Sequence, residues 1–332
     1  MTENREKTSG YAYYALTLLM LVYVINFLDR TIIYILFPLI KKEMAFSDTQ
    51  LSLLGTTSFV IFYTLLGIPF GRMADKGSRT KIIAIGVAVW SLFSGLTAFA
   101  WDFWTLFFCR VMVGVGEATL GPAAISLLSD FFPPKKRATV TSIYSMGIAV
   151  GAGLAAILGG YLSSIGWREA FMVVGFPGIV LGILVWFLRE PRRTVAAATE
   201  VNYSSSDWKL LLTNPAFILL CVSYGLYGLA TNSLSIWGTV YLNRLYDLPI
   251  PTIGYWLGVL TMAAGIPATL FGGVIADWFR QKSPGGRMLF SAILTTVSAV
   301  LWVVILFSDN FALIIPAGFV LLFGALAWLG AG

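Results

Sequence analysis

The sequence predicts an all-α membrane protein with about ten transmembrane helices, and two observations lead to that fold class. The 332 residues are 58% hydrophobic and only 11% charged, with a mean hydropathy of +0.83. A soluble domain is about half apolar and about a quarter charged. Apolar runs of roughly 20 residues, enough to cross a hydrocarbon core of about 30 Å, recur along nearly the whole chain. The chain is therefore suited to lipid as its solvent.

The apolar runs can be delimited one by one. The first is long and has no small-residue cleavage site behind it, so we interpret it as a retained span and not as a signal peptide. The ten runs cover residues 11–38, 49–71, 80–100, 103–131, 139–162, 168–188, 214–242, 252–276, 286–307 and 310–330.

Basic residues predict the orientation. With the N-terminus in the cytosol, only four of the 22 Lys and Arg residues fall in external segments: Lys41, Lys42, Arg168 and Arg244. Apart from two inside spans, all the others are cytosolic, as the positive-inside rule requires. We therefore expect a multi-pass protein of the cell (inner) membrane with a cytosolic N-terminus. The formal charge of +6 reports this topology and does not indicate a nucleic-acid partner.

The chain divides at a polar, Ser-rich stretch. Residues 191–213 are predicted to be a cytosolic linker between an N-terminal six-helix bundle, residues 1–190, and a C-terminal bundle of four helices, residues 214–332. The first turn after the second run is repeated after the eighth, since Gly273 and Asp277 are spaced as Gly71 and Asp75 are. This repeat predicts two pseudo-symmetric bundles of six helices each. We expect the chain to be truncated after about ten of twelve helices.

These repeated turns resemble those of the major facilitator superfamily. GRMADKGSR, which contains Gly71, Asp75 and Arg79, matches the G-x-x-x-D pattern of that family, although Ser78 stands where a glycine is usual. The resemblance implies the major facilitator fold and a cytosolic gate in which this loop latches the helix ends. The residues expected in the gate are Gly71, Asp75, Arg79, Asp130 and Asp277, with Asp130 as the partner of Arg79.

Two further strings resemble the spinster-like subgroup. One is NFLDR, Asn26 to Arg30, in the first run, and the other is RVMVGVGEA, which begins at Arg110 and contains Glu117. The fifth run matches the glycine-rich motif of drug antiporters only in part, because Ala152 replaces its proline. The resemblance implies secondary transport of a lipid-like substrate.

The deep charges are candidates for transport chemistry. Asp29, Glu117, Arg30 and Arg110 lie far inside apolar runs, where each charge costs roughly 2.5 to 3.5 kcal/mol. At about 1.5 Å of rise per residue, Asp29 lies between Arg110 and Glu117 in depth. The sequence has no His, so any proton relay must use carboxylates. We predict proton coupling at Asp29 and Glu117, and substrate binding or charge relay at Arg110, Arg30 and Asn26. If the first and fourth spans line one cavity, as the family resemblance implies, Asp29 or Glu117 should hydrogen-bond to Arg110 in at least one state. An ion pair that only packs helices is the alternative.

Two more features bear on the cavity. Pro122 removes a backbone donor and is expected to kink the fourth span. The seventh run offers a polar and aromatic set that could face a substrate: Tyr224, Tyr227, Asn232 and Trp237.

The sequence thus predicts a proton-coupled secondary active transporter that works by alternating access. The expected substrate is an amphiphilic anion, such as a lysophospholipid or a phosphorylated sphingoid lipid; a symporter of sugar acids or other organic anions and a drug exporter are alternatives. No enzyme motif or channel filter is present, and we expect no cofactor and no metal. The expected partners are the substrate, protons and the lipid bilayer, and we expect a monomer.

Overall fold

The computed structural model describes residues 9–191, 210, 212–283, 285–308 and 311–327, and every regular element in these ranges is helical. The all-α fold class is confirmed. Most of the predicted linker, residues 191–213, lies outside the described residues. The helices are α1 Gly10–Met44, α2 Asp48–Ser52, α3 Ser58–Lys76, α4 Arg79–Leu96, α5 Phe103–Glu117, α6 Leu120–Phe131, α7 Pro134–Leu162, α8 Trp167–Gly175, α9 Gly178–Trp186, α10 Pro215–Tyr246, α11 Ile250–Lys282, α12 Gly286–Phe307 and α13 Phe311–Ala327.

These helices account for the predicted spans. In the described part of the chain, nine helical stretches are long and apolar enough to cross a membrane. Three of them each contain two α-helices: α2 and α3, α5 and α6, and α8 and α9. The tenth predicted run, 310–330, contains α13, a shorter apolar helix; residues 328–330 of that run lie outside the described ranges.

The chain marks several helix starts with polar caps. The Ser9 hydroxyl accepts a hydrogen bond from Tyr11 N, and Asn214 accepts bonds from the first turn of α10. Asp102 caps α5 in the same way. Such side chains satisfy the free N–H groups at a helix start, so they fix where each helix begins.

The predicted kink in the fourth span is confirmed as a break between α5 and α6, at Ala118 and Thr119. A proline ring clashes with the carbonyl four residues before it, which for Pro122 is that of Ala118. The Thr119 hydroxyl donates to Gly116 O at 2.9 Å and so satisfies a carbonyl at the break. Glu117 is consequently the last residue of α5.

Small residues allow the helices to approach closely. A Cβ at Gly116 in α5 would lie 2.7 Å from Gly86 O in α4, and a Cβ at Gly160 in α7 would lie 3.0 Å from the Gly254 Cα in α11. Close backbone approach of this kind is the usual basis of helix association in lipid. The contact of α7 with α11 joins the helices before the linker to those after it.

A buried apolar cluster reaches the same end of the bundle as the α1–α2 turn. It includes Phe37, Leu51 and Leu54, and α10 contributes Ile236 and Val240 to it. At this end, therefore, α10 packs against α1. Many large apolar side chains elsewhere are exposed, including Leu65, Val274 and Phe307, as expected for surfaces that face lipid.

Candidate functional site

Five polar side chains from two helices form the candidate site, which we call the central cluster. Asn26, Asp29 and Arg30 lie within about one turn of α1, and Arg110 and Glu117 lie two turns apart on one face of α5. Asn26, Asp29, Arg110 and Glu117 are each at most 1% exposed. The structure thus brings together all five residues that the two strings predict.

Arg30 and Glu117 form the ion pair of the cluster. Arg30 Nη2 and Nε donate to Glu117 Oε2 at 2.5 and 2.8 Å. The Glu117 side chain is fully buried, whereas that of Arg30 is 20% exposed. The pair therefore lies at the edge of an accessible space, with the arginine on the accessible side.

Aromatic rings surround the same guanidinium. The Arg30 Cζ lies 4.7 Å from the centroid of Phe27, 4.6 Å from that of Phe59 and 5.0 Å from that of Tyr63. Contacts at this range stabilise a cation, the more so where water is excluded. Arg30 is thus held by a carboxylate and by three ring faces.

Arg110 has different partners from those that the sequence predicts. Its Nη1 and Nη2 donate to the main-chain oxygens of Asp29 and Arg30 at 3.5 and 3.3 Å. Among the described residues, no carboxylate oxygen lies within 4.0 Å of its guanidinium, so the predicted bond from Arg110 to Asp29 or Glu117 is not formed in this conformation. The reason is that Glu117 is paired with Arg30 and that the Asp29 carboxylate is bonded to Ser94 of α4.

Asp29 is fully buried in the contact between α1 and α4. Its Oδ1 accepts a hydrogen bond from the Ser94 hydroxyl at 2.7 Å. Its Oδ2 accepts no bond of full hydrogen-bond geometry among the described residues, and the indole N–H of Trp90, which is also without a partner there, lies near the carboxyl. One oxygen is therefore fixed by a neutral donor, and the other remains available for a proton or a different donor.

Unpartnered polar atoms concentrate in the cluster. Besides Asp29 Oδ2, the buried atoms without a partner in the described part of the chain include Asn26 Nδ2, Arg110 Nε and Glu117 Oε1. Buried polar atoms in native proteins are almost always hydrogen-bonded. An arrangement with spare donors and acceptors side by side can exchange partners by small movements.

The cytosolic-end residues form a second arginine cluster, the Arg79 cluster. Arg79 Nη1 donates to Asp130 Oδ2 at 2.6 Å, which confirms the predicted contact. Arg79 also donates to Glu190 at 2.7 Å and to Ser126 at 3.0 Å. Sequence reasoning missed Glu190, whose only signal was its position as a charge at the end of the sixth span.

The Glu190 carboxylate is tied to the start of α4. Burial acts to raise the pKa of this carboxyl, but hydrogen bonds from Arg79 and from the Thr80 N–H outweigh burial, so its pKa lies below the ordinary value. Ser78 also donates to it, at 3.1 Å. Glu190 is consequently bound in its charged form.

The other predicted gate residues have looser surroundings. Asp75 is exposed, and a Cβ on Gly71 would meet Pro122 of α6 at 3.9 Å. Asp277 accepts a bond from Arg287 at 2.6 Å, between the end of α11 and the start of α12. The repeated turns therefore differ. In the first turn, Arg79 contacts one carboxylate in the last turn of α6 and one after α9, whereas in the second turn Asp277 itself pairs with Arg287 of the next helix.

Comparison with known proteins decides the family. The family model described as Major Facilitator Superfamily matches residues 19–331. The chain belongs to the Major Facilitator Superfamily. It is 30% identical over 297 residues to protein spinster homolog 1 of Xenopus laevis, covering 83% of this chain and 56% of that protein. It is 29% identical over 289 residues to an MFS-type efflux pump of Mycolicibacterium smegmatis, covering 86% of this chain and 67% of the pump.

A solved superfamily member has the same fold. A bacterial homolog of the human lysosomal transporter Spinster, in an inward-facing and unoccupied conformation, superposes with a TM-score of 0.79 at 27% identity, covering 98% of this chain and 75% of that one. The spinster-like resemblance predicted from the two strings is confirmed. The chain spans between half and two thirds of the length of the two curated relatives.

The four residues that the seventh span offers to a substrate cavity have separate surroundings in the structure. Trp237 packs against Phe37 of α1 with ring centroids 6.4 Å apart, so it belongs to the packed end of the bundle. Asn232 donates to Gly228 O of its own helix at 2.8 Å, because a short amide competes well for a nearby carbonyl. Tyr227 donates to Gly324 O in α13 at 3.3 Å, and Tyr224 is 60% exposed. Their contribution to a substrate cavity stays a prediction.

Proposed function

We propose that this chain belongs to a proton-coupled secondary transporter that carries amphiphilic anions by alternating access. Lysophospholipids and phosphorylated sphingoid lipids are the substrate classes proposed. One observation carries the proposal: among the described residues, buried Arg110 donates its hydrogen bonds to main-chain oxygens, beside an Asp29 carboxyl whose Oδ2 accepts none. A buried cation without a carboxylate partner is costly, which favours a site where an anion binds in turn.

The proposed coupling step is an exchange of partners at Arg110. Asp29 and Arg110 already meet through the Asp29 main-chain oxygen, so a small movement of α5 against α1 would pair the guanidinium with the Asp29 carboxylate. Separation of the two would let Asp29 take a proton, because a buried lone carboxylate is unfavourable. Glu117 would alternate in the same way between Arg30 and a proton.

The conformation supports an inward-facing state in this cycle. At the predicted external end, Arg244 of α10 donates to Asp48 of α2 at 2.7 and 3.1 Å. The Arg79 cluster lies at the predicted cytosolic end, where the described bonds join Ser126, Asp130 and Glu190 to the start of α4. The gate of Gly71, Asp75, Arg79, Asp130 and Asp277 would then close when the two proposed bundles meet there.

Charge and polarity favour an anion with an apolar tail. The central cluster holds two arginines against Glu117 and a carboxyl that can be neutral, so it favours an anionic head group. In the described part of the later helices, the buried polar residues are two threonines, Thr239 and Thr269. An apolar wall of this kind suits an acyl or sphingoid chain.

Drug export is the second candidate, because one relative is described as an efflux pump. Two arginines in the central cluster disfavour cationic drugs, so this candidate would require neutral or anionic compounds. Uptake or export of a lysophospholipid and of a cationic dye, measured side by side, separates the two candidates.

The test is transport in proteoliposomes with an imposed pH gradient. Asp29→Asn and Glu117→Gln keep shape while removing a titratable proton, and each should abolish gradient-driven accumulation of a lysophospholipid while substrate exchange continues. Glu169→Gln, which alters an exposed carboxylate in the first turn of α8, is the matched control and should transport normally. Normal accumulation in both central variants would contradict proton coupling at these residues.

A further inference from the structure

A cavity of about 240 Å³ lies at the predicted external end, between α1 and α2 on one side and α10 on the other. Phe37, Leu51 and Val240 form an apolar wall, and all three are buried. Ligand pockets for whole drug-sized molecules are usually about 300 Å³ or larger. This cavity therefore suits a small head group with a few adjoining methylenes.

The rest of the lining is strongly basic. Lys41, Lys42 and Arg244 all line the cavity. Asp48 opposes them, since its Oδ1 accepts bonds from Lys41 Nζ at 2.6 Å and from Arg244 Nη2 at 2.7 Å. Glu43, the neighbour of Lys42, turns away and pairs with Arg168. Among the described residues, one carboxylate thus stands against three cations, and the cavity keeps a surplus of positive charge.

We propose that this cavity, the external anion site, binds the phosphate or carboxylate group of a small amphiphile, and that the bound anion replaces Asp48 as the partner of Arg244 and Lys41. The inference rests on the proposed function, because the ligand is the class of anion that the transporter would carry. An arginine fork binds two phosphate oxygens at once and a lysine binds a third. The apolar wall receives the methylenes next to the head group.

Replacement of Asp48 has a mechanical consequence. Asp48 is the first residue of α2, and Arg244 lies in the last turn of α10. Their ion pair joins helices on the two sides of the linker at the external end. An anion that takes Arg244 from Asp48 breaks this link, so arrival of the anion from outside would favour opening of that end.

The experiment measures binding of glycerol 3-phosphate to the full chain in nanodiscs of zwitterionic lipid, by isothermal titration calorimetry at low salt. Arg244→Gln and Lys42→Gln should each weaken binding roughly two- to fivefold, the effect expected for one partly exposed charge. Asp48→Asn should tighten binding by a similar factor, because it removes the competing carboxylate. Tighter binding in Asp48→Asn together with weaker binding in Arg244→Gln would show that the anion and Asp48 compete for Arg244.

Two controls locate the signal. Arg168→Gln removes a cation at the same end that pairs with Glu43 outside the cavity, and it should leave the affinity unchanged. Arg110→Gln removes the central cation, and binding at the external site should persist in it. Binding that is lost in Arg110→Gln but unchanged in Arg244→Gln and Lys42→Gln would overturn the proposal, as would weaker binding in Asp48→Asn.

The outcome is independent of proton coupling. Glycerol 3-phosphate binding does not require Asp29 or Glu117, so the external anion site can fail while gradient-driven transport holds, or the reverse. Repeating the titration with phosphatidylglycerol in the nanodiscs identifies the source of the anion. Competition by this lipid would assign the site to a bilayer head group, and unchanged binding would assign it to an anion from the external water.

Discussion

The Arg79 cluster and the central cluster each contain a deeply buried arginine, but the two arginines have different partners. Arg79 is 2% exposed and contacts two carboxylates, Asp130 and Glu190. Arg110 is 1% exposed and contacts main-chain oxygens. A buried charge with fixed counterions fastens helices together, whereas one without them can change partners. The difference suggests that burial alone does not distinguish a structural arginine from a functional one.

Of the substitutions considered, Arg79→Gln is expected to reduce the free energy of unfolding the most. Arg79→Gln removes the buried cation that Asp130 and Glu190 share, and breaking a buried pair in this way costs about 3 to 5 kcal/mol. Thermal unfolding in detergent should show a clearly lower melting temperature. Arg72→Gln, an exposed cation near the end of α3, is the control, and equal melting temperatures for the two variants would break the comparison.

Packing next to the central cluster predicts the second effect. Gly116 precedes Glu117, and a Cβ there would lie 2.7 Å from Gly86 O and from Trp90 N in α4. Gly116→Ala should therefore cost about 1 to 3 kcal/mol, as overpacking of a tight contact does. Thermal unfolding measures this, with Gly121→Ala as the control because a Cβ at Gly121 meets no atom within 4 Å. Similar stability of the two variants would mean that backbone contact does not position Glu117.

At Arg110 the expected change in stability is smaller. Its two hydrogen bonds are long, at 3.3 and 3.5 Å, and removing the charge also removes its desolvation cost. Arg110→Gln should change the free energy of unfolding by no more than about 1 kcal/mol, the typical net worth of a hydrogen bond. Binding of a lysophospholipid should nevertheless be lost, as measured by fluorescence quenching with a labelled lipid. A loss of stability as large as that of Arg79→Gln would make Arg110 a structural residue.

The smallest expected effect is the pH dependence of the stability that Glu190 contributes. The folded-state pKa of Glu190 is lowered, so its contribution to stability is fully present above the unfolded value, about 4.3, and is lost as pH falls through the folded value. Melting temperatures of the wild type and of Glu190→Gln should differ by a constant amount at neutral pH. The difference should shrink only in acid, and a difference that grows there would contradict the charged state of Glu190.

The sequence predicted positions along the membrane normal better than side-chain partners. Span lengths follow from the apolar runs and helical rise, and the break in the fourth span follows from Pro122. The depths of the five charged and polar residues follow from helical rise, whereas their meeting is what the family resemblance implies. Neither helical rise nor the cost of charge in lipid decides whether Arg30 or Arg110 pairs with Glu117. That choice depends on rotation about the helix axes and on the rings around Arg30, which no spacing in the sequence encodes.

Glu190 and Trp237 show the same limit at the ends of the spans. Glu190 falls where the sixth span gives way to a charged linker, and its capture by Arg79 depends on how α4 and the chain after α9 meet. Trp237 looks like a cavity residue by composition, but the approach of α10 to α1 places it on Phe37. Such contacts between distant elements arise only once the bundle is assembled.

The double variant Asp29→Asn with Glu117→Gln, reconstituted and driven by a pH gradient, tests most directly whether the central cluster carries the protons. Substrate exchange without a gradient shows that the variant is folded and able to bind. We expect the variant to exchange lysophospholipid but to accumulate none against its concentration. Accumulation equal to that of the wild type would show that the protons travel elsewhere or that another ion drives transport.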